Sequence, residues 1–344
     1  MYENQVSVAP EDAGFVADYL LVVREAAKLN VTLSNVFNSM VFGFVPVEFT
    51  NYIQSDKVYI AVNNNGIAIT NQGYSDFYIN HTWQNYQNIS ADHKFVAIND
   101  NNIAVSNDGF FSQWDGTNWS EAQYIYDGDP YRFSAINNNN IAVSTDGHFS
   151  IYVGGGSWTV PALIASGDIS WLSINNNNLA IGFNYSTQVT YYSVYNQDGW
   201  TTGIAPFFFG YSPPNKNNIV ATQAGFFQYD FVSDIWTKLP DPTPVTLKNY
   251  IITDQNLAIM ASSDYPYWTQ WDGTSWSPLR DFVTVQDTLA ANSKGLLVGY
   301  EYSVEFLNIP MPTNNATIAK NIMDAKMQLV VAFAAKYGAV VPYQ

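Results

Sequence analysis

The chain has 344 residues, 47% of them hydrophobic and 16% aromatic, enough to bury a large core, while only 12% are charged. Thirteen Lys plus Arg against 29 Asp plus Glu leave a net charge of −16. Nucleic acid and anionic membrane surfaces are held by cations that displace counterions, so neither is expected as a partner, and the lack of cysteine excludes disulfides, thiolate metal sites and a Cys nucleophile.

The first segment, residues 1–43, reads as a helical extension. Its opening residues have no basic region followed by an apolar run, so no secretory signal is expected, and no apolar stretch of the chain reaches the roughly 18–20 residues of a membrane span. Over residues 11–38, Phe15, Val16, Tyr19, Leu20, Val23 and Ala27 recur at helical spacing behind Pro10-Glu11-Asp12, a proline and acids suited to a helix start.

From residue 44 to 312 the chain repeats itself about every 38 residues, the mark of a stacked or circular array of supersecondary units. Each copy runs apolar strand, Asn-rich turn, apolar strand, polar turn, aromatic strand. The clearest are IAVNNNGIAIT (residues 60–70), VAINDNNIAVS (96–106), SAINNNNIAVS (134–144) and LSINNNNLAIG (172–182). Weaker ones follow as SPPNKNNIVAT (212–222), IITDQNLAIMA (251–261) and ANSKGLLVGYE (291–301). Four short antiparallel strands per unit predict an all-β propeller of seven four-stranded blades. Asn, Asp and Gly stand at the turns because hairpin turns need φ > 0. The last unit meets Pro310-Met311-Pro312 before a fourth strand, whereas residues 46–53 alternate like a strand with no unit of their own. That N-terminal strand is expected to close the ring by joining the last blade.

Residues 313–344 form the second helical extension, with Ile318, Ile322, Met323, Met327, Val330, Val331 and Ala334 on one broad face. Both helices must bury a stripe. The expected partners are other protein subunits of an assembly, docked through Phe15, Tyr19, Val23, Ile322, Met327 and Val330; capping of the propeller is the structural alternative.

The motif WDGTxWS occurs at residues 114–120 and 271–277, with relics YVGGGSW (152–158) and YNQDGW (195–200). These turns resemble those of short-repeat bacterial propellers, including kelch-like and fucose-lectin-like rings. The resemblance implies a propeller and a glycan-binding face on which indoles stack against sugar C–H groups and carboxylates accept hydroxyl hydrogen bonds. The glycan-contacting candidates are Trp114, Asp115, Trp119, Trp158, Trp200, Trp271, Asp272 and Trp276. The structural alternative is that Asp-Gly makes each turn and each Trp packs against its neighbouring blade. Propeller connectivity puts the Asn-rich turns and these WDGT turns on one face, neutral, polar and aromatic.

Chemistry is sparse. Arg24, Arg132 and Arg280 are too few for a sialidase-type carboxylate clamp, and His81, His93 and His148 lack metal-ligand spacing. The residue set implies no metal, no cofactor and no catalytic centre. The expected function is a non-enzymatic structural or attachment component of a larger particle, plausible for a bacteriophage or other virion, binding neutral cell-surface glycans. An extracellular-type composition without an export signal fits release by lysis, with a cytoplasmic protein as the alternative. A free-standing lectin is the rival function. A polysaccharide-acting hydrolase or lyase, for which Asp108, Asp146 and Asp264 would supply carboxylates, is the second.

Overall fold

The computed structural model describes residues 47–308 except 71, 81, 128–130, 209–212, 223, 243–247, 262–265, 278 and 282–285. Both expected helical segments, with Phe15, Tyr19, Val23, Ile322, Met327 and Val330, lie outside the described residues. The chain divides into a larger unit, Phe49–Gln270 with Pro278–Phe306, and a second that contains Trp271–Ser277 together with both chain ends.

The larger unit is an all-β propeller. The second strand of each clear repeat, Ile67–Thr70, Ile103–Ser106, Ile141–Ser144 and Leu179–Asn184, is buried at every residue, as is Ile219–Thr222 of a weaker one. Each strand splits its side chains by size. Ile103 and Val105 pack forward with Phe111, Phe133 and Ile136, while Ala104 packs backward with Ile67, Ile69 and Phe95. The same division holds for Ile141 and Val143 against Ala142, and for Leu179 and Ile181 against Ala180. A small residue on one face and large ones on the other give each sheet a fixed hand in the stack, so the core is a series of layers between consecutive sheets.

The described strands form six sheets rather than the seven blades expected. The difference arises at the chain ends. The first strand, Val47–Val62, pairs on one side with Ile67–Thr70 and on the other with the long last strand, Leu296–Asn308, so the first and last repeats share one six-stranded sheet. The hydrogen bonds between first and last strands remove two free edges.

Blade design also departs from four uniform strands. Among the described residues the sheet beginning Ile219–Thr222 has three strands, and Pro213-Pro214 stands just before its Asn215 turn, where proline has no N–H to give a ladder. The sheet beginning Phe133–Ile136 has five, since His148–Gly154 pairs with both Ser157–Trp158 and Ala162–Leu163.

Candidate functional site: an asparagine collar

The turn between first and second strands has four positions, filled by Asn137-Asn138-Asn139-Asn140 in the clearest copy. Asn137 Oδ1 accepts from the N–H groups of Asn139 and Ile141, at 3.1 and 3.0 Å, so the side chain closes the turn on itself. Its amide donates onward to the next repeat, to Asn175 O at 3.0 Å and Asn178 Oδ1 at 2.9 Å. Asn139 repeats the move one step out, donating to Asn176 O and Asn178 Oδ1.

The fourth position explains why Asn is used where Gly would suit the backbone. Asn102, Asn140, Asn178, Asn218 and Asn256 all have φ between 59° and 62°, a region open to Gly and, at modest cost, to Asn. Asn adds an oxygen that receives the amides arriving from the preceding repeat. In the two copies with Gly instead, Gly66 and Gly295, the preceding turns offer fewer such donors: Asn292 reaches only Asn63 O, and Thr253 has no amide.

Amide bonds of this kind run from turn to turn around the axis, and where Thr253 has none, Gln255 Nε2 donates to Ser293 O. First-position amides of Asn63, Asn99, Asn137, Asn175 and Asn215 each reach the following turn, and Asn292 reaches back to Asn63 across the chain ends. The second-position residues Asn64, Asp100, Asn138, Asn176, Lys216, Asp254 and Ser293 line the mouth of a cup of about 180 Å³, whose floor includes Val62, Ile98, Ile136, Ile174, Pro214 and Ala291. The cup is therefore apolar below and hydrogen-bonding at its rim. Asp100 is held by three donors, Asn64 N, Asn64 Nδ2 and Asn138 Nδ2.

The WDGT turn at residues 114–120 shares this edge of the sheets, since Trp114 N–H donates to Asn102 O at 3.0 Å. Asp115 Oδ1 accepts from Thr117 and Asn118 N–H groups, and those bonds, that from Asn118 foremost, hold its carboxyl below the usual range. Trp114 and Trp119 are half-buried against the preceding repeat: Trp114 lies 4.6 Å from Phe77, and Trp119 Nε1 donates to Ser75 Oγ at 2.8 Å. Trp158 and Trp200 stand edge-on to Phe111 and Phe149 of the preceding sheet, at 5.4 and 5.3 Å. The same wedge recurs as Trp236 on Tyr192. In the second unit, Trp271 and Trp276 pair across their own turn with ring centroids 5.3 Å apart, and Asp272 Oδ1 caps that turn through Thr274 and Ser275 N–H groups. Trp271 is 5% exposed.

At the opposite ends of the strands, His93 Nδ1 lies 2.8 Å from Asp108 Oδ2, and Asp146 Oδ2 accepts from Arg132 N–H. Asp264 lies outside the described residues. Among the described residues no group of three or more His, Asp or Glu is placed to hold a metal ion, and no helix is long and apolar enough to cross a membrane.

The collar went unread in the sequence because its Asn runs were assigned to turns alone. The available signal was register: aligned copies set first-position Asn side by side in six of seven turns, a side-chain ladder rather than a set of independent hairpins.

Fold and collar together define an all-β repeat propeller. No protein-family model and no curated protein matches the chain. Among solved structures it is similar to YCF48 from Cyanidioschyzon merolae, with a TM-score of 0.53 and 14% identity over 74% of this chain and 98% of that one. It is also similar to virginiamycin B lyase from Staphylococcus aureus (TM-score 0.55, 8% identity, 76% and 99% covered). The WD40 propeller domain of Doa1 is a third (0.53, 10%, 79% and 99%). At these identities the likeness establishes the fold alone.

Proposed function

We propose that the protein is a non-enzymatic recognition and attachment component of a larger particle, of the kind a virion displays, and that it binds glycans on the collar face. The observation that carries this reading is the collar itself. A circle of buried amide bonds holds the loops of one face rigid, and rigid loops bearing neutral hydrogen-bonding groups lose little entropy when a polyol docks. Exposed Asp115, with Oδ2 outside the turn's own bonds, adds an acceptor beside the half-buried Trp114. The likeness of the WDGT turns to kelch-like and fucose-lectin-like rings supports the same face. The segments 1–43 and 313–344 supply the subunit contacts in this reading.

Titration of the full chain with neutral mono- and oligosaccharides, followed by tryptophan fluorescence and by native mass measurement, tests it. Saturable binding without turnover of the sugar, by a protein that also self-associates or joins partner subunits, is the expected result. Hydrolysis or elimination of a polysaccharide would replace the reading with an enzymatic one, and binding by a strict monomer would leave a free-standing lectin.

A further inference from the structure

Around the collar, the N–H of each second-position residue looks for an oxygen on the second-position side chain of the next repeat. Asn64 N–H finds Asp100 Oδ1 at 2.7 Å, Asp100 N–H finds Asn138 Oδ1 at 2.8 Å and Asn138 N–H finds Asn176 Oδ1 at 2.8 Å. Lys216 N–H finds Asp254 Oδ1, and Ser293 N–H finds Asn64 Oδ1, both at 2.8 Å. The step from Asn176 falls on Lys216, which has no acceptor atom. Among the described residues, the Asn176 N–H, the Asn176 side-chain amide and the Lys216 ammonium have no partner, and both residues line the axial cup.

Among the described residues the circle of acceptors is thus interrupted at two places, here and where the Asp254 N–H meets no oxygen of Ser293, and only the interruption at Lys216 carries a positive charge. We propose that Lys216 and the backbone N–H of Asn176 form a carboxylate-binding position at the rim of the cup, fitted to the acid group of a single acidic sugar residue. One carboxylate oxygen replaces the missing Asn-type oxygen on the Asn176 N–H, and the other meets the ammonium; charge-assisted bonds of this kind are about twice as strong as neutral ones. Val62, Ile98, Ile136 and Ile174 are almost fully buried beneath the cup, so the sugar ring is held chiefly by the polar side chains around it. A volume of about 180 Å³ admits one such residue and not an oligosaccharide. The other charges on the rim are Asp100, already held by three donors, and Asp254, which accepts from Lys216 N–H and opposes an anion. The proposal rests on the glycan reading of this face and makes it specific.

The test is calorimetric titration of the full chain with glucuronate, glucose and N-acetylglutamate, repeated on Lys216→Asn, Lys216→Met and Asp254→Asn. Lys216→Asn supplies the oxygen absent at this step, so melting temperature holds or rises, while glucuronate affinity falls about tenfold or more, the size of one lost charged hydrogen bond. Lys216→Met should lose the same affinity without adding that oxygen, and Asp254→Asn should bind glucuronate several-fold tighter. Glucuronate binding no tighter than glucose, or undiminished in both Lys216 variants, would overturn the carboxylate position while leaving the glycan reading intact. N-acetylglutamate binding as tightly as glucuronate, with the same dependence on Lys216, would uphold the position and defeat the glycan reading.

Discussion

Asn137 and Asn178 sit 41 residues apart in successive repeats, and the amide of the first donates to the side-chain oxygen of the second at 2.9 Å. Every such pair ties one blade's turn to the next, so the collar works as a belt around the axis and not as a row of separate hairpins. Asn137 is 2% exposed and makes four bonds through one side chain. Asn137→Ala should therefore cost about 2–3 kcal/mol, since buried partners are left without bonds. Asn137→Asp should also destabilise, because its second oxygen would face Asn175 O and Asn178 Oδ1. Urea unfolding of both variants checks this, and a neutral effect of either would mean that the belt carries no stability.

The fourth-position asparagines give a sharper version. Glycine is conformationally better at the φ of 62° found for Asn178, so backbone preference alone forecasts that Asn178→Gly stabilises. The bonds it accepts from Asn137 and Asn139 forecast the reverse, a loss of about 1–2 kcal/mol. Conversely, Thr253 is the one first-position residue without an amide. Thr253→Asn should add a donor to the following turn and raise stability by about 0.5–1.5 kcal/mol, readable as an upward shift of the melting temperature.

How much of this was legible in the sequence can be judged from particular residues. The propeller was, because the fully buried second strands and their Asn turns recur in register. The closing strand was too, since residues 46–53 alternate without a unit of their own and the first strand does pair with the last. The number of sheets was not: strand signals do not say where two repeats will merge, and the length of Leu296–Asn308 decided it. Pro213-Pro214 was not read as a break in the pattern, because its copy was grouped with the others by its Asn turn. The collar was hidden for a different reason. A turn is specified locally, whereas a side-chain belt depends on the neighbour's register, and only the fold supplies that.

Indoles of the fourth strands form a second set of ties between sheets, and one of them differs. Trp158, Trp200 and Trp236 meet an aromatic of the preceding sheet, while Trp119 meets Ser75, which takes its indole N–H. Trp158→Ala and Trp200→Ala should each cost about 3–5 kcal/mol, as for other truncated core aromatics. Trp119→Phe should cost about 1 kcal/mol, chiefly the bond to Ser75. Chemical denaturation of the three variants, paired with sugar titrations, separates packing from ligand contact: a Trp that loses sugar binding and keeps its melting temperature would be a platform and not a wedge.

Tyr192 and Tyr229 both donate to Asp234 Oδ1, at 2.8 and 2.5 Å, and the pH dependence of stability should show it. The hydroxyl of Tyr229, then that of Tyr192, lowers the Asp234 carboxyl below 3.8. A carboxyl depressed by folding contributes stability that is present above its unfolded pKa and lost as pH falls through the folded one, so this contribution fades only below about pH 3.8. Burial first, and then the Asp234 bond, raises both tyrosines above 10. Their contribution is whole below pH 10 and declines as pH rises beyond it. Asp234→Asn should flatten the acid limb by removing the same contribution at neutral pH, a small loss because the carboxylate is exposed and screened. Absorbance at 295 nm should show these two phenols ionising only with unfolding; free titration near pH 10 would disprove the pairing.

The seam between the chain ends decides whether the propeller is one cooperative structure. There the first strand joins the last, Asn292 donates to Asn63 O at 2.9 Å, and Ser293 N–H donates to Asn64 Oδ1. Tyr59, Val62 and Ala68 pack with Leu296 and Val298 in the same region. The belt is thinnest here, because Gly66 and Gly295 lack the accepting oxygen that Asn brings elsewhere. Deleting residues 1–53 should remove the N-terminal part of the joining strand, reopen two sheet edges and give an aggregating or unfolded product. Gly66→Asn should not mend the seam, because at a φ of 75° a Cβ at residue 66 would stand 2.6 Å from the backbone oxygen of Tyr78, so the substitution should lower stability. A soluble deletion variant with unchanged melting temperature would show that closure at the seam contributes nothing, and that each blade stands on its neighbours alone.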